Sequence, residues 1–330
     1  MPFNVVFFTE GGENAGFGHI TRCRALSDAF EEVGRETTFV VKGDEKIVKF
    51  LNRDVVLENW IDDFETFKSF LSSADLVVID SYLASLDHYR WASELKRCLF
   101  VDDFRRLDYP PKSIVLNGSI YAEKLRYPKR KGVRYLLGSK FAPLRRAFWE
   151  VEEKVVNPEI EKIFVSFGLN DTRRLIPSVV KTLSEKFPQC ELCVVVDPQS
   201  PSGKKLLSMD LKNVKIFGNL SAEEMKELVL ECDVAVSAGG QTTYELARVG
   251  VPSVLIAVAE NQLLNCKGWQ GAGFAYYVGF AGSENTLRKI IEHLKKLEDE
   301  KIRSKMSKIG RKYVDGQGAR RVVKEFQNSG

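Results

Sequence analysis

Short runs of β-branched and aromatic residues recur along the chain, separated by longer segments in which apolar residues fall three or four apart. The runs predict strands at Asn4–Phe8, Thr37–Val41, Leu76–Ile79, Cys98–Val101 and Ser113–Leu116. After a gap they predict strands at Lys162–Ser166, Leu192–Val196, Val214–Phe217, Val234–Ser237, Ser253–Val258 and Phe274–Val278. Most are continuously apolar, the pattern of strands covered on both faces. The intervening periodicity predicts helices, among them Ile20–Val33, Leu175–Phe187, Ala222–Glu231, Thr242–Val249 and Asn285–Leu297. In the first, Ile20, Cys23, Phe30 and Val33 share a face, and Gly34 supplies a C-terminal stop. Regular alternation of β and α segments places the chain in the α/β class with parallel, doubly wound sheets.

The alternation breaks at the polar stretch Trp149–Lys154 and the Asn157-Pro158 that follows it. A strand–glycine turn–helix unit then begins again, as it did at the start of the chain. Two Rossmann-like domains are therefore expected, at residues 1–150 and 151–330. A length of 330 residues suits two cores of ordinary size.

Composition narrows the class of partner. The apolar share is 44%, the charged share 28%, and the net charge only +4, which argues against a nucleic-acid binder and allows an anionic small ligand. No apolar run approaches the roughly 18 residues needed to span a bilayer. The apolar start is ended by Thr9-Glu10-Gly11 and has no basic leader, so it reads as a buried strand of a cytoplasmic protein. Cys190 and Cys193 form a C-x-x-C with no second pair to complete a zinc site, and the six cysteines read as buried reduced thiols.

Three segments have the make-up of a ligand site. The first is Gly16-Phe17-Gly18-His19-Ile20-Thr21-Arg22, between a strand and a helix. Gly16 and Gly18 let a ligand approach the backbone, and the helix start favours anions. His19 falls in the first helical turn, where the dipole disfavours imidazolium, so a neutral base is expected. Of the other histidines, His293 reads as solvated and His88 is ambiguous. The second segment is Ser166–Arg173; Gly168 and Asp171 either face a ligand or, for Asp171, cap the next helix. The third is the most specific. A strand ending in Ser237 delivers Gly239, Gly240, Gln241 and Thr242 to a helix start, whose free N–H groups suit a diphosphate. Glu245, one turn on, is placed to take ribose hydroxyls or else is simply an acid of the first turn. Glu260-Asn261-Gln262 follows the next strand.

These residues carry a family resemblance. The chain resembles the GT-B architecture, and the Ser237–Gln262 block is similar to the nucleotide-sugar block of the transferase that adds N-acetylglucosamine to the lipid-linked peptidoglycan precursor. Over nearly its whole length it resembles the UDP-sugar hydrolases of the pseudaminic-acid pathway and the related spore-coat polysaccharide proteins. The matching segments are Gly16-Phe17-Gly18-His19 with Arg22, Val78–Tyr82, Val101-Asp102-Asp103, Asn117, Phe167-Gly168 with Asp171, Ser237–Glu245, Glu260–Gln262 and Asp315–Arg321. Two segments depart from the family's pattern. The second-domain loop reads Phe167-Gly168-Leu169-Asn170-Asp171 where the family has Gly-Gly, and Asp80-Ser81-Tyr82 stands where it has Asp-His-Tyr.

The resemblance implies that His19 activates water and that Gly239–Glu245 holds the nucleotide. The expected reaction is release of a free amino- or deoxy-sugar from a nucleotide-sugar in a cleft between the domains, with Asp80 and Asp103 orienting sugar hydroxyls or else capping strand-end turns. Arg22, Tyr82 and Asn117 are expected to contact substrate. The reading requires no metal and no cofactor. It expects a monomer or weak homo-oligomer, without nucleic acid or an integral membrane segment. The rival is a glycosyltransferase whose acceptor patch comes from Phe64–Phe70 and Lys124–Lys131, and a further alternative is a silent nucleotide-sugar-binding protein. The resemblance also implies that the Asp315–Phe326 tail returns to pack on the first domain.

Overall fold

Two parallel sheets organise the chain, each the centre of its own unit. The computed structural model describes every residue except 1–2, 13–15, 52, 54, 169–170, 284 and 328–330. The first unit comprises Met1–Arg146 and Gly316–Gly330, and the second Ala147–Asp315.

In the first unit the order is β1 (Asn4–Glu10), α1 (Gly18–Glu32), β2 (Glu36–Lys42), α2 (Lys46–Leu51), β3 (Val55–Leu57), α3 (Phe64–Ser73), β4 (Leu76–Asp80), α4 (Leu86–Leu95), β5 (Arg97–Val101), β6 (Ser113–Asn117) and β7 (Val133–Leu137). Seven strands pair in the order β3-β2-β1-β4-β5-β6-β7, all parallel. The second unit runs β8 (Lys162–Ser166), α5 (Ile176–Lys186), β9 (Glu191–Val195), α6 (Pro201–Leu207), β10 (Val214–Phe217), α7 (Ala222–Glu231), β11 (Val234–Ala238), α8 (Thr242–Val249), β12 (Ser253–Ala257), α9 (Leu263–Ala272), β13 (Ala275–Phe280), α10 (Thr286–Lys296) and α11 (Glu300–Tyr313). Its six strands order as β10-β9-β8-β11-β12-β13, again all parallel. The last helix, α12 (Gly318–Gln327), belongs to the first unit. It packs on α1, where the ring of Phe326 meets Phe30 and Arg320 pairs with Glu32.

The continuous apolar runs are explained by burial on both faces: Val5, Val6, Phe7 and Phe8 have no exposure, and every residue of β11 and β12 is buried. The edge strands β3 and β7 were not anticipated. All of β3 is only half-buried and one residue of β7 is buried; β3 offers a run of only three apolar residues, and Arg134 interrupts that of β7.

Both strand orders reverse direction of growth beside the first strand of the unit, between β1 and β4 and between β8 and β11. At such a switch point the loops leaving adjacent strands diverge and leave a crevice at their carboxyl ends. In the first unit these are the loops after Glu10 and Asp80, and in the second those after Ser166 and Ala238. Three segments singled out from sequence therefore emerge where α/β sheets bind ligands.

Candidate functional site

In the first unit, parallel pairing sets Thr9 of β1 opposite Asp80 of β4. The helix α1 begins at Gly18, so its first turn stands over the end of β4 with His19 and, one turn on, Arg22 turned toward it. His19 Nδ1 lies 2.6 Å from Asp80 Oδ1. The Arg22 guanidinium spans two carboxylates. Nε and Nη2 donate to the two oxygens of Asp80 at 2.8 and 2.7 Å, and Nη1 donates to Asp103 Oδ1 at 2.7 Å. The Tyr82 hydroxyl donates to the other oxygen of Asp103, and its ring meets His19 edge to face at a centroid distance of 4.4 Å. His19, Arg22, Asp80 and Asp103 are buried, whereas Tyr82 stays 38% exposed, so the cluster reaches the surface at Tyr82.

The electrostatics follow from this packing. Burial opposes ionisation of Asp80, but Arg22 and then His19 outweigh it, and the carboxyl is held well below its ordinary range. Burial likewise opposes protonation of His19, but the charge and hydrogen bond of Asp80 outweigh it and raise its pKa above the ordinary 6.5. This corrects the expectation of a neutral imidazole set by the helix start: a carboxylate at 2.6 Å is the stronger influence. The short contact fixes the Nδ1 proton toward Asp80, and Nε2 has no hydrogen-bond partner among the described residues. Burial, followed by Asp103, raises the Tyr82 phenol far above its ordinary value, so it acts as a neutral donor.

Gly16 N–H is spent on Gly12 O at 2.8 Å, while a Cβ at Gly16 or Gly18 would meet no described residue within 4 Å. Asn117 is not brought to this cluster. It is fully buried, its amide donates to the Tyr127 hydroxyl, and its oxygen accepts Ser119 N–H. Asp102 accepts that same Tyr127 hydroxyl and the N–H groups of Phe104 and Arg106, which shapes the turn that carries Asp103.

In the second unit, Asp171 is buried with its carboxylate wholly occupied. Oδ1 accepts Leu175 N–H, while Oδ2 accepts Ile176 N–H and the Ser202 hydroxyl. Of the two readings open for this residue, the helix-capping one describes its bonds. Leu169 and Asn170 lie outside the described residues. Gly168, at φ +87°, again has open space where a Cβ would stand.

The Ser237–Thr242 turn needs a different account of its glycines. Gly239 does not present its N–H, which donates to Ile256 O at 3.1 Å, and a Cβ there would come within 2.2 Å of Cys266 Sγ. Gly239 is therefore required for close packing against α9. The N–H groups of Gly240, Gln241 and Thr242, half-buried residues at the start of α8, precede its first i→i−4 bond and are the ones suited to an anion. Ser237 is buried and bonds its own strand end. Glu245 is buried in the first turn of α8. Glu260 and Asn261 are exposed in a single turn after β12, and Gln262 Oε1 accepts Val258 N–H at 3.0 Å.

Beneath this turn lies a buried polar cluster that sequence reading missed. Asn265 donates to Gly239 O and Thr243 Oγ1 and accepts the Tyr244 hydroxyl, and Trp269 Nε1 donates to Thr243 Oγ1. The available signal was an asparagine on the buried face of α9. His88 is also buried, against Trp60, Phe64 and Phe67, with Nδ1 2.9 Å from Ser85 Oγ. His293 is not simply solvated: its ring stacks on Tyr276 at 4.5 Å and its Nδ1 is buried. All six cysteines are free and buried. No helix of the described residues is long and apolar enough to cross a membrane, and among them no group of three or more His, Cys, Asp or Glu is arranged to hold a metal ion.

Comparison with known proteins places this architecture. Two Rossmann-like domains of the GT-B kind are shown by solved structures that match nearly the whole chain. One is Staphylococcus aureus MnaA with UDP, with 10% identity, a TM-score of 0.69, and coverage of 99% of this chain and 96% of that one. Glycosyltransferases also stand among the matched structures. By sequence the chain is similar to a Helicobacter pylori protein named pseudaminic acid cytidylyltransferase and UDP-2,4-diacetamido-2,4,6-trideoxy-β-L-altropyranose hydrolase, with 26% identity over 85% of this chain. The match spans 48% of that relative, so the chain corresponds to about half of its length. It is also similar to the Bacillus subtilis spore coat polysaccharide biosynthesis protein SpsG, with 24% identity over 98% of each chain. No family model matches the chain.

Proposed function

We propose that the chain hydrolyses a UDP-linked amino- or deoxy-sugar, releasing free sugar and UDP. The observation that carries this reading is the His19–Asp80 pair, in which a buried carboxylate holds Nδ1–H and leaves Nε2 as the proton acceptor. In the reaction, water oxygen bonds to the anomeric carbon as the bond from that carbon to the diphosphate oxygen breaks. The water proton passes to His19 Nε2, and the electron pair leaves with UDP. Asp80 keeps the ring oriented and stabilises the imidazolium that forms, as a carboxylate does behind a catalytic histidine. Arg22 fixes Asp80 and Asp103 together, and Tyr82 lies at the exposed side of the pair. The nucleotide is assigned to the second unit, with the N–H groups of Gly240, Gln241 and Thr242 on the diphosphate and Glu245 on the ribose. A cytoplasmic enzyme of surface-polysaccharide or nonulosonic-acid synthesis fits this activity and the names of the relatives.

A transferase reading is favoured by one feature. Phe64 on α3 and Trp91 on α4 form a partly exposed aromatic pair, with Lys68 Nζ over both rings at 5.1 and 4.8 Å. Such a patch suits the apolar part of an acceptor. Incubation with UDP-2,4-diacetamido-2,4,6-trideoxy-β-L-altropyranose in the absence of any acceptor separates the two: hydrolysis yields free sugar, and a transferase stays idle until an acceptor is added.

A further inference from the structure

Glu10 closes β1 at the switch point, and sequence reading gave it no role. It is 3% exposed. One carboxylate oxygen, Oε1, accepts the N–H of Tyr82 at 2.6 Å. The other, Oε2, is buried and has no hydrogen-bond partner among the described residues. A buried carboxylate oxygen left unpaired is costly, and native chains keep one chiefly where something else completes it.

Its position says where that completion would come from. Along β1, Val6 and Phe8 point into the apolar cluster of Trp60, Phe67 and Tyr89, and strand alternation puts Glu10 on the same face. Glu10 lies one residue beyond the Thr9–Asp80 pairing, so its side chain passes the end of that cluster and enters the loop layer above the sheet. There it holds the backbone of Tyr82, whose ring lies against His19. The charge of Glu10 is also felt at His19.

The neighbouring carboxylates are already engaged. Asp80 takes His19 and two nitrogens of Arg22, and each oxygen of Asp103 carries one internal bond. Among the described residues, Glu10 alone of the three has a whole oxygen unused.

We propose that Glu10 is a substrate-binding residue, whose Oε2 accepts a hydrogen bond from a hydroxyl or acetamido N–H of the sugar beside His19. It thereby selects sugars that carry a donor at that position. The proposal rests on the nucleotide-sugar reading above and goes further by assigning the contact that recognises the sugar.

The test is titration calorimetry in the His19→Asn background, which holds substrate without turnover. UDP and UDP-2,4-diacetamido-2,4,6-trideoxy-β-L-altropyranose are each titrated into chains with Glu10 and with Glu10→Gln. Glutamine keeps the shape and an oxygen for Tyr82 N–H, and replaces the free acceptor with a donor. The expected result is unchanged affinity for UDP and a loss of about ten- to a hundred-fold for the UDP-sugar, the worth of one hydrogen bond to a charged group. Unchanged affinity for the UDP-sugar overturns the proposal. So does an equal loss for both ligands, which would make Glu10 a support of the fold. If neither ligand binds the chain that retains Glu10, the nucleotide-sugar reading itself fails and takes this proposal with it.

Discussion

His19 Nδ1 and Asp80 Oδ1 stand 2.6 Å apart, buried between the first turn of α1 and the last residue of β4. A base in this setting must shed its own proton before it can take one from water. Its pKa lies above the ordinary 6.5, because the Asp80 pairing exceeds the opposing effect of burial. The acid limb of kcat/KM should therefore have an apparent pKa above 6.5, with activity rising as pH increases through it. His19→Asn should lower kcat by about two to four orders of magnitude, the usual share of a general base. Affinity for UDP, measured by calorimetry, should be unchanged. Activity within a few-fold of the parent chain would make the pair structural.

Asp80→Asn separates orientation from charge. It removes the cause of the raised His19 pKa, so the acid limb should move down while kcat falls. It also leaves Arg22 with Asp103 as its remaining carboxylate, at a cost of about 3 kcal/mol for breaking a buried pair. The sign with pH follows from linkage. The raised pKa of His19 contributes stability in full below about 6.5, and that share is lost as pH rises through its folded-state value. The depressed pKa of Asp80 contributes above its ordinary 3.8, and is lost as pH falls toward its folded-state value. The gap in Tm between parent and Asp80→Asn should thus be widest near pH 5–6. It should narrow above the His19 pKa without closing, because Arg22 stays charged. A gap that widens toward alkaline pH would contradict the assignment.

The sheet architecture was legible because buried parallel strands write continuous apolar runs, and β1, β4, β11 and β12 all do. The edge strands β3 and β7 were not, since β3 has only three apolar residues and Arg134 interrupts the run of β7. Residue type and loop position singled out His19, and the family resemblance pointed to Arg22, Asp80, Tyr82 and Asp103. What they do to one another was not readable, because proton affinity depends on distances between residues 61 positions apart in the chain. The same limit hid Glu10, a residue that ended the first apolar run and whose unpaired oxygen is visible only in three dimensions. Nor could sequence show that the Asn117 amide and the Gly239 N–H are engaged within the fold.

Gly239 gives a sharp test of the second unit. A Cβ at this position would stand 2.2 Å from Cys266 Sγ and 3.2 Å from Gln262 Cβ. Gly239→Ala should cost about 1–3 kcal/mol by overpacking and weaken UDP binding by shifting the turn before α8. Adding Cys266→Ala should restore part of both. An unaltered Tm in the single variant would show that the turn yields freely.

The last helix belongs to the stability of the first unit. Ala319, Val322, Val323 and Phe326 are buried, and Arg320 pairs with Glu32 of α1. Truncation after Tyr313 removes about 5 kcal/mol of apolar burial, a large part of a domain's stability. Two-stage thermal melting should show the first unit destabilised by many degrees. Calorimetry should find UDP affinity retained, because all of the removed segment except Val314 and Asp315 belongs to the first unit and not to the one that holds Gly240–Thr242. Loss of UDP binding together with an intact first-unit transition would reverse this assignment.

Most direct of all is mass spectrometry of the products formed from a panel of UDP-, CMP- and GDP-sugars without acceptor, by the parent chain and by His19→Asn. The account predicts free sugar and UDP in equal amounts from a UDP-amino- or UDP-deoxy-sugar, with the signal all but abolished in the variant. Intact substrate across the whole panel, or sugar release that His19→Asn leaves unchanged, would contradict it.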